Sequence, residues 1–243
     1  MELSDKTVLV AGGGSGIGAA CALAFAAAGC RVAIAGRQDS KLKAVVAQAA
    51  STPGMEYRAA DVSDRGQAFE LVEWATRTLG RIDILVNSAG INIVNRQMST
   101  IDPADWDRVL QVNVTGAFNT MHATLPQMRE RRDGLIINIS SVAGLRSILL
   151  GGVAYNASKF ALTALGTCVG LEEREHGIRI TNVYPGEVET PILDQRPVPV
   201  SAEHRARILQ PSDISSMVIS IAQLPARAHV PDIVIKPTTQ EFC

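Results

Sequence analysis

Uninterrupted apolar runs alternate along this chain with longer segments that are apolar around part of their circumference. Thr7 to Ala11 is the first run and reads as a buried strand. A turn of glycines follows, then a helix from about Ile17 to Ala28 ended by Gly29. Arg31 to Ala35 is a second strand, Ser40 is placed to cap a helix through Ala50, and Pro53-Gly54 marks a turn. Glu56 to Ala60 reads as a third strand, Arg65 to Leu79 as a helix, and Ile82 to Val86 as a fourth strand. Asp102-Pro103 opens a helical region that extends to about Arg132. Leu135 to Ile139 is a fifth strand. The apolar pattern from Val153 to Leu171 then predicts a largely buried helix, with Gly177 just past its end. Arg179 to Val183 is a sixth strand, Pro185 to Val200 is loop-like, Pro211 to Leu224 is a helix, and Asp232 to Ile235 is a short last strand.

Strands that alternate with helices, and that are apolar on both faces, predict an α/β fold: a doubly wound parallel sheet of about seven strands, covered by helices on both sides. No linker, repeat or low-complexity tract interrupts the 243 residues, so one domain, 1–243, is expected. Ligands of such sheets bind at the carboxyl ends of the strands. Gly12 to Gly18, Arg37, Asp61, Asn87 to Gly90, Ser140-Ser141 and Pro185-Gly186 all fall there.

Composition changes this picture only by exclusion. A net charge of −1 offers no basic surface for nucleic acid. The four cysteines show no C-x-x-C spacing and the four histidines are scattered, so no metal site is expected and reduced thiols in a cytoplasm are the simplest reading. Thr7 to Cys30 carries no charge and follows Lys6, which imitates a signal peptide or a membrane span. Gly12, Gly13, Gly14, Gly16 and Gly18 break that run; a strand, a tight turn and an apolar helix explain it better.

Two features carry chemistry. The glycine turn follows a strand and opens a helix, the context in which backbone amides and a helix N-terminus receive a pyrophosphate. Its spacing, Gly12-x-x-x-Gly16-x-Gly18, is not the strict G-x-G-x-x-G, and a merely flexible turn would have the same composition. Tyr155 and Lys159 stand at i and i+4 of the long helix and therefore on one face. A phenol titrates at about 10 in water, and an adjacent ammonium lowers that value toward a range useful for proton transfer.

These segments, in this order, resemble the short-chain dehydrogenase/reductase superfamily over nearly the whole chain. Ala11 to Gly18 is similar to its T-G-x-x-x-G-x-G, Asp61-Val62 to its adenine contact, and Asn87-Ser88-Ala89-Gly90 to N-N-A-G. Asn113 to Gly116 resembles the segment of the catalytic asparagine and Ile139-Ser140-Ser141 the serine segment; Tyr155-x-x-x-Lys159 and Pro185-Gly186 complete the set. The resemblance implies that Tyr155 is the general acid for carbonyl reduction or the base for alcohol oxidation. It implies that Ser141 binds the substrate oxygen, that Lys159 lowers the tyrosine pKa and holds the nicotinamide ribose, and that Asn113 supports a water relay to Lys159. Ser141 is preferred to Ser140, because neighbours on a strand point to opposite faces and the resemblance implies the second serine. The implied cofactor contacts are Gly12, Gly14, Ser15, Gly16, Ile17, Gly18, Arg37, Asp61, Val62, Asn87, Ala89, Gly90, Tyr155, Lys159, Pro185, Gly186, Val188 and Thr190. Three departures stand out: Ala11 replaces the threonine, Ser88 replaces the second asparagine, and the interval from Ser141 to Tyr155 is about one residue long, so the loop from Gly144 to Gly152 is expected to be reshaped.

The function implied is an NADP-dependent interconversion of an alcohol with a ketone or aldehyde. NADP is expected over NAD because Gly36 and Arg37 stand where an NAD site places an acid on the ribose hydroxyls. A non-catalytic NADP sensor is the alternative, though it need not keep a proton donor; a sugar-nucleotide epimerase would need a larger C-terminal region. The largely apolar loop of about 187–210 is expected to line the substrate pocket. Arg146 or Arg196 would either pair with a substrate carboxylate or lie solvated at the surface. Apolar residues cover more of the Tyr155 helix than one core-facing stripe needs, which with the family's habit points to a homodimer or homotetramer.

Overall fold

A computed structural model describes residues 2–49 and 54–241. Seven strands form one parallel sheet: β1 (Thr7–Ala11), β2 (Arg31–Gly36), β3 (Met55–Ala59), β4 (Ile84–Asn87), β5 (Gly134–Ile139), β6 (Ile178–Pro185) and β7 (Asp232–Ile235). Their order is β3-β2-β1-β4-β5-β6-β7, so the winding reverses between β1 and β4 and leaves a crevice at their carboxyl ends. The eight α-helices described are α1 (Gly16–Ala27), α2 (Asp39–Gln48), α3 (Arg65–Leu79), α4 (Pro103–Leu110), α5 (Gly116–Arg131), α6 (Val153–Glu173), α7 (Ala202–Arg207) and α8 (Pro211–Ala222).

Strand alternation sorts the core into two layers. Val8, Val10 and Ile34 pack with Phe25, Leu42, Ile214 and Val218 of α1, α2 and α8. Leu9, Leu85 and Ile136 pack with Leu71, Met121 and Leu162 of α3, α5 and α6. This burial on both faces is why the strands read as continuous apolar runs.

Polar side chains fix the register just beneath the crevice. Asn87, Asn138, Asn182 and Asp232 are partners across β4, β5, β6 and β7. Each asparagine donates to the next residue: Asn87 to Asn138 at 3.0 Å, Asn138 to Asn182 at 3.3 Å, and Asn182 to Asp232 at 3.3 Å. Thr120 of α5 donates to Asn87 Oδ1 at 2.6 Å, and the Tyr184 hydroxyl donates to Asp232 at 2.6 Å. Such a buried chain specifies one register only when every member is satisfied. α6 approaches it through Gly166, where a Cβ would lie 2.1 Å from Asn182 Oδ1.

Several expected boundaries are corrected. Ser40 does not cap α2: Gln38 holds that position, and Asp39 occupies the first turn, where its charge suits the helix dipole and pairs with Lys43 at 2.9 Å. β4 begins at Ile84 because the Ile82 N–H donates to the Gln127 side chain rather than to the ladder. The helical region beyond Pro103 is divided by a π-helical turn, Gln111–Thr115. The loop after β6 contains a 3-10 turn, Pro191–Gln195, and the short α7 capped by Ser201. Ala50 and Pro53 lie outside the described residues.

Candidate active site

A cavity of about 540 Å³ runs along the carboxyl edge of the sheet, from Arg37 and Asp61 at one end to Tyr155 and Leu193 at the other. At its centre the glycine turn brings backbone against backbone. Gly12 has φ +88°, and a Cβ there would sit 2.4 Å from the Ala89 nitrogen; a Cβ at Gly18 would sit 2.1 Å from the Gly12 oxygen. Larger residues fit neither place, so α1 starts directly beneath the cavity floor. The first turn of α1 carries no acid, and the Ser15 side chain makes no capping bond. Ala11 and Ser88 keep the turn closed through a main-chain bond of 2.8 Å, the Ser88 nitrogen donating to the Ala11 oxygen.

Most of the expected cofactor contacts converge here. Gly12, Gly14, Ser15, Gly16 and Ile17 line the floor; Arg37, Asp61 and Val62 line one end; Ala89 and Gly90 line the wall from β4. Pro185, Gly186, Val188 and Thr190 close the cavity from β6, with the Thr190 side chain 3.1 Å from where a Gly16 Cβ would be. Asp61 is already engaged, accepting from the Ser63 nitrogen at 3.0 Å and hydroxyl at 2.6 Å.

Three expected residues do not reach the cavity. Gly18 lies under Gly12. Asn87 spends its side chain on Thr120 and Asn138. Asn113, fully buried in the π turn, accepts from the Ile91 nitrogen at 2.8 Å and donates to the Ile91 oxygen at 3.0 Å and to Ser158 at 2.9 Å. Its amide is spent on fixing the β4–α4 loop, yet its oxygen and the Lys159 ammonium each stand 3.6 Å from the Cβ position of Gly90.

Ser141, Tyr155 and Lys159 line the far end of the cavity. Ser141 follows β5, and its Oγ accepts from the Ala143 nitrogen at 3.1 Å, which aims the hydroxyl toward the phenol of Tyr155. Ser140 turns instead toward the Lys159 carbonyl, at 3.3 Å, and Thr163. Lys159 donates to the Ile139 carbonyl at 2.9 Å and lies 5.6 Å from the centre of the Tyr155 ring. Burial pulls the Lys159 ammonium down to about 8.

The expected lowering of Tyr155 by Lys159 is corrected. Burial raises the phenol above its ordinary value, and the groups that pull it back are the Ser141 hydroxyl and the Arg96 guanidinium. Spacing of i, i+4 sets the ammonium over the ring rather than at the oxygen, and the Ile139 carbonyl holds it there. The phenol is therefore protonated at neutral pH in the free protein.

Sequence reasoning missed several groups on the cavity: Arg96, Lys41 and Gln240. Lys41, in the first turn of α2, has its Cβ 3.5 Å from the Cβ position of Gly14, a contact the spacing from Arg37 does not signal because Arg37 precedes the helix. Gln240 folds back from beyond β7 and accepts from the Glu187 nitrogen at 3.0 Å, a contact no local pattern signals. Arg196 also lines the cavity, paired with Glu187 at 3.2 Å, whereas Arg146 is exposed and outside it. The loop before α6 is held by Asn156, whose amide exchanges bonds of 2.9 Å with the Ile148 nitrogen and oxygen. Among the described residues no helix is long and apolar enough to cross a membrane, and no group of three His, Cys, Asp or Glu could hold a metal ion.

A family model described as short chain dehydrogenase matches residues 6–198. An uncharacterized oxidoreductase of Staphylococcus saprophyticus is 33% identical, the match covering 98% of this chain and 99% of that protein. A metagenomic short-chain oxidoreductase solved in complex with NADP is 31% identical, covers 99% of this chain and 100% of its own, and superposes with a TM-score of 0.85. A 3-ketoacyl-(acyl-carrier-protein) reductase from Brucella melitensis, complexed with NADH, is 26% identical, with 96% and 98% covered and a TM-score of 0.87. The chain is an oxidoreductase of the short-chain dehydrogenase family.

Proposed function

We propose that the protein uses NADP(H) to interconvert an alcohol with a ketone or aldehyde, with Tyr155 moving the proton. The observation that carries this reading is the meeting of Ser141, Tyr155 and Lys159 at one end of a cavity whose floor is a glycine turn on a helix N-terminus. The residues present fit a dinucleotide: Gly12, Gly14 and Gly16 bring bare main chain to the cavity floor, and no acid of α1 opposes a pyrophosphate there. The bound nicotinamide supplies or accepts the hydride. Ser141 holds the substrate oxygen against the Tyr155 hydroxyl, and the phenol donates its proton to that oxygen in the direction of reduction. Because burial keeps the phenol protonated, the free protein is poised for reduction. Lys159 holds the ribose and steadies the ring face, while Asn113 fixes the loop that carries Gly90 and Ile91.

NADP is favoured by Arg37 and Lys41 on the cavity and by Gly36 between them and the glycine turn. The two solved relatives carry NADP in one case and NADH in the other, so the preference rests on these cations. Residues 187–210 form the substrate loop, braced by Arg205 on Glu189 and Asp194 at 2.7 Å each. The setting proposed is the cytoplasm. The test is NADPH and NADH oxidation against a panel of ketones, keto acids and keto esters, together with the alcohols in reverse. Turnover that vanishes in Tyr155→Phe supports the reading; tight NADPH binding without turnover of any carbonyl compound would replace it with a sensor.

A further inference from the structure

Beside Tyr155 lies a buried cation that has no counter-ion among the described residues. Arg96, on the loop between β4 and α4, is 6% exposed and lines the cavity. Its Nη1 donates to the Leu150 carbonyl at 2.8 Å and its Nη2 to the Gln195 carbonyl. Its Nε is closed off from solvent and has no partner among the described residues. The side chain is clamped in place, for the Arg96 oxygen accepts from the Val153 nitrogen at 3.0 Å and its Cβ lies 2.4 Å from where a Gly152 Cβ would be.

The neighbouring charges increase the imbalance. Arg196 and Tyr155 are the titratable groups that act on Arg96, and Arg196 repels it. The carboxylate at this end, Glu187, is shared by Arg196 and His204. The first turn of α6, which begins beside Arg96, contains no acid, and its dipole adds to the positive field. The Glu187 carboxylate is thus already engaged, and among the described residues no carboxylate pairs with Arg96. A buried guanidinium left unpaired is costly, and a fork of N–H donors matches a carboxylate in shape as well as charge. Val142, Ile148, Leu150, Ile192 and Leu193 add apolar wall.

We propose that the substrate is a hydroxy or oxo acid with an apolar chain, its carboxylate held by the Nη hydrogens of Arg96 that the Leu150 and Gln195 carbonyls leave free, while its oxygen faces Ser141 and Tyr155. This rests on the alcohol–carbonyl reading above and narrows its substrate class. Arg96 ties the Leu150 and Gln195 loops together and is a specificity residue as well, and these two roles separate experimentally.

The test is the ratio of kcat/KM for an acid and its own methyl ester, measured with NADPH on α-ketoisocaproate and on acetoacetate. The expected ratio favours at least one of the acids by about tenfold or more, the scale of one charge-assisted contact. Arg96→Met and Arg96→Lys should each reduce that ratio by about tenfold, mostly through KM; Arg146→Met, off the cavity, should leave it unchanged. The lysine variant keeps the charge, so it remains informative if the methionine variant melts early. A loss of loop order alone would lower both rates and leave the ratio. Wild-type enzyme that reduces the esters as well as the acids, or a ratio that survives both substitutions, overturns the carboxylate site and leaves the carbonyl reading intact. If no carbonyl compound reacts, that reading fails, and calorimetry of α-hydroxyisocaproate against its methyl ester decides the anion site by itself. Binding of the acid alone, lost in Arg96→Met, upholds it; equal or absent binding overturns it.

Discussion

Tyr155 combines two environments that act in opposite directions. Burial favours its neutral form, while Ser141 and Arg96 favour the phenolate. Replacing it with phenylalanine removes the one proton in question and little else. We expect kcat in Tyr155→Phe to fall by about 10²–10⁴, with the NADPH dissociation constant within about twofold; retention of most activity would refute the role. Lys159 gives a prediction of a different kind. Burial lowers it from 10.5 to about 8. Between those values the unfolded chain binds a proton that the native protein has released, so native stability rises with pH. Tyr155 acts the other way, but only above about 10, where the unfolded chain has lost a proton the native state keeps. The buried thiols of Cys21 and Cys30, raised by burial from 9.0, also oppose the rise above pH 9, and comparison with Lys159→Met, which keeps both, isolates the lysine in the window from pH 8 to pH 10. Wild-type stability relative to Lys159→Met should climb across it, by on the order of 2 kcal/mol, and thermal unfolding of both proteins at pH 8 and pH 10 measures this. A flat difference would mean the amine is hydrated. Tyr155 and Lys159 were legible because a helix converts spacing into proximity. Arg96 was not, because a lone arginine in a loop has no period, and only the tertiary fold buries it.

At the scale of elements, legibility followed local boundaries. β1, α3 and β7 fall where apolar pattern and flanking turns put them, since each is bounded by local chemistry: for α3, Asp64 accepts from the Gln67 nitrogen at 2.8 Å and Gly80 closes the end with φ +87°. α2 began one residue before its supposed cap, with the Gln38 carbonyl accepting from the Lys41 and Leu42 nitrogens and no side chain capping the start. The π turn was invisible, as it is set by where Asn113 must meet Ile91 rather than by propensity. The end of β2 and the start of α2 carry the cofactor preference, through Gly36, Arg37 and Lys41. A charged, forked contact to a 2′-phosphate contributes about 1.5–3 kcal/mol, or roughly ten- to a hundred-and-fifty-fold in kcat/KM. Gly36→Asp combined with Arg37→Leu should reverse the order of NADPH and NADH, at fixed substrate. Equal or better turnover with NADH in the unmodified protein would remove this role from Arg37.

The whole molecule presents an apolar face that its own core does not use. On α6 the exposed positions Phe160, Ala164, Cys168 and Leu171 recur at steps of four, four and three, so they form one stripe on the side away from Leu162 and Gly166. Leu171 is 65% exposed and Phe160 41%. On the same side of the sheet, Phe118 of α5 stands exposed beside His122, with ring centres 5.5 Å apart, and Phe69 of α3 lies 5.6 Å from that histidine. Arg65 covers the Phe118 ring from 5.9 Å. The sequence signalled this surface as an excess of apolar positions on one helix; it could not say which of them faced outward. Contiguous apolar faces of this kind mark association surfaces, and one that includes two adjacent helices suits a two-fold pairing of identical chains. We expect a homodimer or a homotetramer of such dimers in solution. Phe160→Glu together with Leu171→Glu would place two charges on each copy's half of the pairing face, so four within one two-fold interface. The variant should shift toward the 25.8 kDa monomer. Light scattering at micromolar concentration reads both proteins, and a monomeric mass for the unmodified chain would contradict the assignment of this face.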